Sequence, residues 1–173
     1  MAEEKHLTGV ERTFPSSEII VSKTDAKGRI TYVNDIFLTV SGYTEEEVMG
    51  QPHNIIRHPE MPRCVFKLLW DTVQTGKEIF AYVNNRAKDG DYYWVLAHIT
   101  PNFGPGREII GYHSNRRAPT REAIGKAGAL YTRLLQEERK YADRKEGMAA
   151  GAAVLTSILA QQGSDYAEFV LNL

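Results

Sequence analysis

The sequence predicts an α+β domain: a five-stranded antiparallel sheet with short helices over one face, preceded by an N-terminal arm and followed by C-terminal helices. Three observations predict it. β-rich runs come as a group of two and then a group of three, with segments of helical spacing between them. Glycine turns, Asp25-Ala26-Lys27-Gly28 and Asp89-Gly90, join neighbouring runs. A stretch dense in proline and polar residues, Gln51 to Pro62, lies between two helical segments, and its prolines forbid one continuous helix there.

Residues 1–17 are polar with a few apolar points, Leu7, Val10 and Phe14, and predict an arm that caps the domain. The domain proper spans 18–118. Its first strand is Glu18 to Thr24, carried by Ile19, Ile20 and Val21, and Ile30 to Val33 completes a hairpin. Asn34 then caps a helix from Asp35 that Gly42 ends. Thr44 and Glu47 form a capping box for a short helix stopped at Gly50. After the proline-rich loop, Met61 to Thr75 carries Val65, Leu68, Leu69 and Val73 at helical spacing, with Gly76 as its cap. Ile79 to Arg86, Tyr92 to Thr100 and Glu108 to Arg116 supply the last three strands. Helices inserted after a hairpin must lie over one sheet face, and the space between them and the sheet is the natural ligand cavity.

Residues 119–173 form a helical extension. Ala123, Ala127, Leu130, Tyr131 and Leu134 make an apolar stripe that packs on its own domain or on a second copy. Gly147 is expected to break this helix. A small, apolar segment from Met148 to Ala160 follows, then a last short helix with Tyr166, Phe169 and Val170 facing inward.

The 173 residues are 42% hydrophobic and 25% charged, enough apolar material for a real core. A formal net charge of −1 gives no global field toward nucleic acid or an acidic membrane. A single cysteine, Cys64, excludes an intramolecular disulfide and a Cys-based zinc site. The N-terminus has no apolar signal core, and no run approaches the ~18 apolar residues of a membrane span. A cytoplasmic setting is expected. Neither a phosphate-binding glycine loop nor a Gly-x-Gly-x-x-Gly fingerprint nor a nucleophile signature occurs, so the chain reads as a non-enzyme. Arg116-Arg117 is too small a basic pair for nucleic-acid recognition.

Specific residues then carry a resemblance. Val40-Ser41-Gly42-Tyr43-Thr44, Gly50-Gln51-Pro52-His53-Asn54, Arg57-His58-Pro59-Glu60-Met61-Pro62, Asn85-Arg86, Asp89-Gly90-Asp91 and Tyr93-Trp94-Val95 resemble the PAS domains of bacterial aerotaxis receptors, over roughly Glu18 to Thr120. The resemblance implies a PAS fold that holds FAD non-covalently and senses redox state or oxygen. It implies cofactor-binding or signalling roles for Asn34, Arg57, His58, Asn85 and Trp94, and no metal site. Two departures stand out. A tryptophan common in the first long strand is replaced around Glu78-Ile79-Phe80, so Phe80 is the candidate substitute. The receptors continue into a membrane anchor and a signalling coiled coil that this chain does not contain, so a fragment or a stand-alone sensor is expected.

Each residue also has a plainer reading. The amides of Asn34 and Asn85 can satisfy donors or acceptors on a flavin edge, while Asn34 can cap a helix and Asn85 can sit on a strand surface. Trp94 can stack on the ring or fill the core. Arg57 can pair with a pyrophosphate or be solvated. His58 can donate to the cofactor or cap a turn, and His53 and Asn54 are expected to shape the turn. Cys64 lacks the photosensory Gly-x-Asn-Cys-Arg-Phe context and is expected to be an inert thiol. The leading expectation is a flavin sensor that acts as a homodimer, with an unspecified signalling partner. Reduction would flip the Asn85 amide, and the last strand would pass the change to the helix after Pro119. The alternatives are a cofactor-free dimerisation module and a haem sensor using His53, His98 or His113.

Overall fold

A computed structural model describes residues 6–173; the first five residues of the arm lie outside the described residues. β1 (Ile20–Asp25) and β2 (Ile30–Val33) form the first hairpin. α1 (Asp35–Ser41) and α2 (Glu45–Val48) follow, then a 3₁₀ turn at His53–Ile56 and α3 (Arg63–Gln74). β3 (Ile79–Arg86), β4 (Tyr92–Phe103) and β5 (Ile109–Arg117) complete a five-stranded antiparallel sheet of order β2-β1-β5-β4-β3. The PAS-type architecture expected from the sequence is the one observed.

Local chemistry sets these boundaries. The Asn34 side chain accepts from the Phe37 N–H, and Gly42 ends α1 at φ 73°. Thr44 and Glu47 form the reciprocal capping box of α2. The proline-rich loop is pinned on both sides. Its His53 N–H donates to the Gly28 carbonyl, and Arg57 forms a backbone bridge with Asn85 on β3. α3 starts after Pro62, which offers no side-chain cap.

Pleating divides the sheet residues between two faces. The inner face carries Ala81, Val83, Tyr93, Val95 and Ala97, and packs with Phe37, Ile56, Leu69 and Val73 into the main core. The outer face of β3 and β4 carries Phe80, Tyr82, Trp94 and Leu96. It is covered by the chain's own C-terminal helices, α4 (Arg121–Glu138), α5 (Arg144–Gln162) and α6 (Tyr166–Leu171), through Ala123, Ala127, Phe169 and Val170. The stripe on α4 thus packs within its own chain.

Two sequence expectations need correction here. The break after α4 falls at Arg139–Asp143, where Asp143 caps α5, and Gly147 lies inside that helix. A side chain at Gly147 would collide with the Glu138 carbonyl, so the glycine marks a close approach of two helices. Phe80 stacks on His98 at 4.2 Å on the outer face of the sheet, so it does not take the cofactor-contact place the sequence offered it.

The arm runs beside the β3–β4 hairpin. Arg12 pairs with Asp89 and, at 2.9 Å, with Asp91, while its Nη1 donates to the Val40 carbonyl. Glu11 pairs with Arg121 at the start of α4. Among the described residues no helix is long and apolar enough to cross a membrane.

Candidate functional site

A cavity of about 620 Å³ lies between the inner sheet face, the proline-rich loop and α3. That volume lies within the range of small-molecule sites, roughly 300–1,000 Å³. Val83, Ala97 and Ile99 form an apolar floor, and Phe66, Leu69, Trp70 and Val73 of α3 form the roof. Trp70 meets Tyr112 edge to face at 5.3 Å, giving one wall of aromatic surface. Gly28, at φ 78°, lies so close beneath the Trp70 ring that an added Cβ would stand 3.0 Å from it.

The polar groups are concentrated on β1, β5 and the loop. Arg116 is 4% exposed. Its Nη2 donates to Ser22 Oγ at 2.8 Å and to His53 Nε2 at 2.7 Å. His53 must therefore be neutral and accept through Nε2. Burial first, and the Arg116 charge second, push its pKa down to about 3. Burial also lowers Arg116, to about 10, and no carboxylate among the described residues pairs with it. A buried guanidinium without an anion is costly, and such groups mark ligand sites.

Four residues of the cavity lining carry a buried polar atom with no hydrogen-bond partner among the described residues: Thr24 Oγ1, Asn85 Nδ2, Ser114 Oγ and Arg116 Nη1. Buried polar atoms are normally paired. Donors and hydroxyls left free on a largely apolar, aromatic lining suit a flat heteroaromatic ligand with carbonyl and ring-nitrogen acceptors, and a flavin ring meets that description.

The structure places the expected site residues unevenly. Asn85 and Arg57 line the cavity. The Arg57 guanidinium stands 4.0 Å over the Phe66 ring. Its charged form is disfavoured by burial and by Arg63, and favoured by Glu138. His58 is buried away from the cavity: its Nδ1 accepts from the Glu60 N–H at 3.2 Å, and its ring meets Tyr92 edge to face. It fills the turn-capping role that was its plainer reading. Asn34 spends its amide locally. Its Oδ1 accepts from the Val21 and Phe37 N–H groups, and its Nδ2 donates to the Ile19 carbonyl.

Trp94 is on the wrong side of the sheet for the role expected of it. The pleat turns it to the outer face, where it stacks on Tyr131 with ring centroids 6.0 Å apart. His98 and His113 do not line the cavity either; His98 pairs with Glu78 and His113 with Asn115.

Sequence reasoning missed Arg116 and misjudged His53 and Asn54, both of which line the cavity. The alternation Tyr112, Ser114, Arg116 along β5 carried the signal, because one parity of a strand with an apolar start must face inward. Cys64 is buried at the start of α3, its thiol pushed up to about 12 by burial and the nearby Glu138 carboxylate. It is unreactive while it stays covered.

Comparison with known proteins follows the same lines. Residues 30–115 match the family model described as PAS fold. The chain is 40% identical over 134 residues to the aerotaxis receptor of Escherichia coli strain K12, covering 78% of this chain and 26% of the receptor. It is 29% identical over 101 residues to a nitrogen fixation regulatory protein of Klebsiella pneumoniae, covering 58% of this chain and 20% of that protein. The chain thus spans about a quarter or less of the length of these curated relatives. Among solved structures, the blue-light photoreceptor Aureochrome1 LOV in its dark state aligns with a TM-score of 0.57 at 22% identity, covering 64% of this chain and 82% of that one. That likeness concerns fold. Strand order, the helix-roofed cavity and these matches agree, and the chain carries a domain of the PAS family.

Proposed function

We propose that this PAS domain is a sensor that holds FAD in the cavity and signals through its C-terminal helices. The observation that carries the reading is the set of unpaired polar atoms on an aromatic-walled cavity, Asn85 Nδ2, Ser114 Oγ and Arg116 Nη1 above all. The aerotaxis-receptor relative and the loop residues Arg57-His58-Pro59-Glu60-Met61-Pro62 support it.

The residues divide the work. Trp70, Phe66 and Tyr112 offer flat apolar surface for a ring, and Asn85, Ser114 and Arg116 offer hydrogen bonds at its polar edge. Lys27, Arg57 and Arg63 give the cavity a basic rim, which suits the pyrophosphate that separates FAD from riboflavin. A bound flavin supplies a group whose charge and ring-nitrogen protonation change when it is reduced. Arg116 stabilises added negative charge in the cavity, and neutral His53 keeps the guanidinium aimed there. Asn85 can present either its Nδ2 or its Oδ1, so its amide follows a change from acceptor to donor. A ligand biases two states of a protein only through its different interaction with each, and here the difference is the redox change. In this reading the setting is cytoplasmic, the assembly a homodimer, and the stimulus redox state or oxygen of the energy-taxis type.

The absorption spectrum of the purified chain tests this. The protein should be yellow, with bands that bleach on reduction, and the denatured extract should contain FAD. Protein that is colourless and fails to retain added FAD refutes the reading and leaves a cofactor-free PAS module; a Soret band instead identifies a haem sensor.

A further inference from the structure

Glu138 is a buried carboxylate that the cavity reading does not use. It is the last residue of α4 and is 4% exposed. Its Oε1 accepts from the Cys64 N–H at 2.8 Å and its Oε2 from the Arg63 N–H at 3.1 Å. These are the first two amides of α3, the helix that begins at Pro62 without a side-chain cap. A residue from the C-terminal helices therefore supplies the cap that the cavity's roof helix lacks.

α5 closes over this joint. A Cβ added at Gly151 would stand 2.9 Å from Glu138 Cγ and 3.1 Å from Cys64 Sγ, and Gly147 meets the Glu138 backbone. The glycines let α5 lie directly on the carboxylate and the thiol. One turn away, Met148 of α5 lines the cavity beside Arg57, Arg63 and Phe66. The first turn of α3, the end of α4 and the start of α5 thus meet at Glu138, and the first turn of α3 and the start of α5 meet again at the cavity wall.

We propose that Glu138 is a positioning residue of the cavity: it fastens the first turn of α3, and with it the Arg57 wall, to α5, so that the cavity wall and the C-terminal helices open and close as one unit. Occupancy of the cavity then stabilises docking of α5, and docking of α5 tightens the cavity by the same factor. The link to FAD rests on the proposed function; the joint itself does not.

Cys64, the chain's single cysteine, reports on the joint because α5 and Glu138 cover its sulfur. The experiment measures its rate of labelling by a thiol reagent in the full chain, with and without FAD, for wild type, Glu138→Ala and Glu138→Gln. Loss of both charge-assisted hydrogen bonds should raise the flavin-free rate about tenfold or more in Glu138→Ala, and about threefold in Glu138→Gln, which keeps one acceptor. FAD should slow labelling about tenfold in wild type and less than twofold in Glu138→Ala. A general loss of stability would raise the rates but leave FAD protection intact, so that pattern overturns the proposal. So does a flavin-free rate unchanged in both variants. If Glu138→Ala does not fold, Glu138→Gln carries the test on its own rate and its reduced FAD protection. If wild type takes up no FAD, the flavin reading falls, and the joint is read from amide exchange instead: in Glu138→Ala it should quicken across the first turn of α3 and across α5 (144–162) together, and quickening in α3 alone overturns the proposal.

Discussion

Replacing Arg116 with methionine should make the flavin-free protein more stable and the flavin complex weaker. Burial lowers the guanidinium to about 10. Compared with an ordinary arginine this disfavours the folded, charged form by about 3 kcal/mol. Methionine keeps much of the stem's volume and removes the charge. The change forfeits hydrogen bonds to Ser22 and His53, but those two groups stand 3.0 Å apart and still serve each other. That loss is about 1–2 kcal/mol, which leaves a net gain of about 1–2 kcal/mol. In the complex, a charge-assisted hydrogen bond from Nη1 is removed, which is about 1.5–3 kcal/mol, or a loss of roughly tenfold to a hundredfold in affinity. Urea unfolding without flavin and FAD titration of the same two proteins measure both quantities. A variant that is destabilised by about 2 kcal/mol or more while binding FAD as wild type does would show Arg116 to be a structural brace, and the reasoning would fail.

Three further outcomes follow from the same geometry. His53 is neutral when folded, with a pKa near 3, and ionises near its ordinary value when unfolded, so the unfolded state binds more protons between those values. Stability is therefore full above the unfolded value and falls with acid; moving from pH 7 to pH 5 should remove about 2 kcal/mol in wild type and little of that in His53→Gln, as urea midpoints at the two values will show. Asn85→Ala removes an amide whose Nδ2 is unpaired in the cavity and should weaken FAD retention about tenfold in a dialysis assay, with thermal stability of the flavin-free chain nearly unchanged. Trp94→Leu should do the reverse: FAD affinity within about twofold of wild type, but α4 loosened by about 1–2 kcal/mol through loss of the Tyr131 stack, as amide exchange across 121–138 will report.

How much of this was legible in the sequence depends on how local each cause is. Caps and turns act within four residues, so Asn34, Gly42 and the Thr44–Glu47 box fixed the helices correctly. Strand existence was equally local, so the five antiparallel strands were legible; their order in the sheet was not, because β1 pairs with β5 from the other end of the domain. Site membership was not local. Trp94 and Asn85 are both polar or aromatic strand residues near motif positions, and only pleat parity, anchored by Val83 and Val95 inside, separates them. The two arginines of the pair 116–117 face opposite sides for the same reason. His53 looked like a turn residue because its partners, Ser22 and Arg116, are 31 and 63 positions away in the chain. Gly147 looked like a helix breaker because the helix it makes room for, α4, acts from outside its own turn.

The route from cavity to C-terminal helices is shorter than the one through β5. Asn85 lies on β3, the edge strand, with β4 between it and β5. A change at Asn85 sent through the sheet would have to cross two ladders before reaching α4. The free edge of β3 offers a direct path. Arg57 bridges to Asn85 on that edge, and three residues earlier the Tyr82 carbonyl accepts from the Tyr131 hydroxyl of α4 at 2.6 Å. Tyr131 is buried, so this bond also covers a strand edge that would otherwise need a partner. Tyr131→Phe removes one hydroxyl and leaves the ring on Trp94. It should cost about 1–2 kcal/mol of stability, since the Tyr82 carbonyl is left unpaired in a dry site. FAD affinity should stay within about threefold, because Tyr131 does not line the cavity. The diagnostic measurement is the difference in amide exchange across 121–138 between oxidised and reduced protein. If the β3 edge carries the signal, that difference shrinks in Tyr131→Phe; if it persists at its wild-type size, the change travels through β4 and β5 and the edge is only a seam.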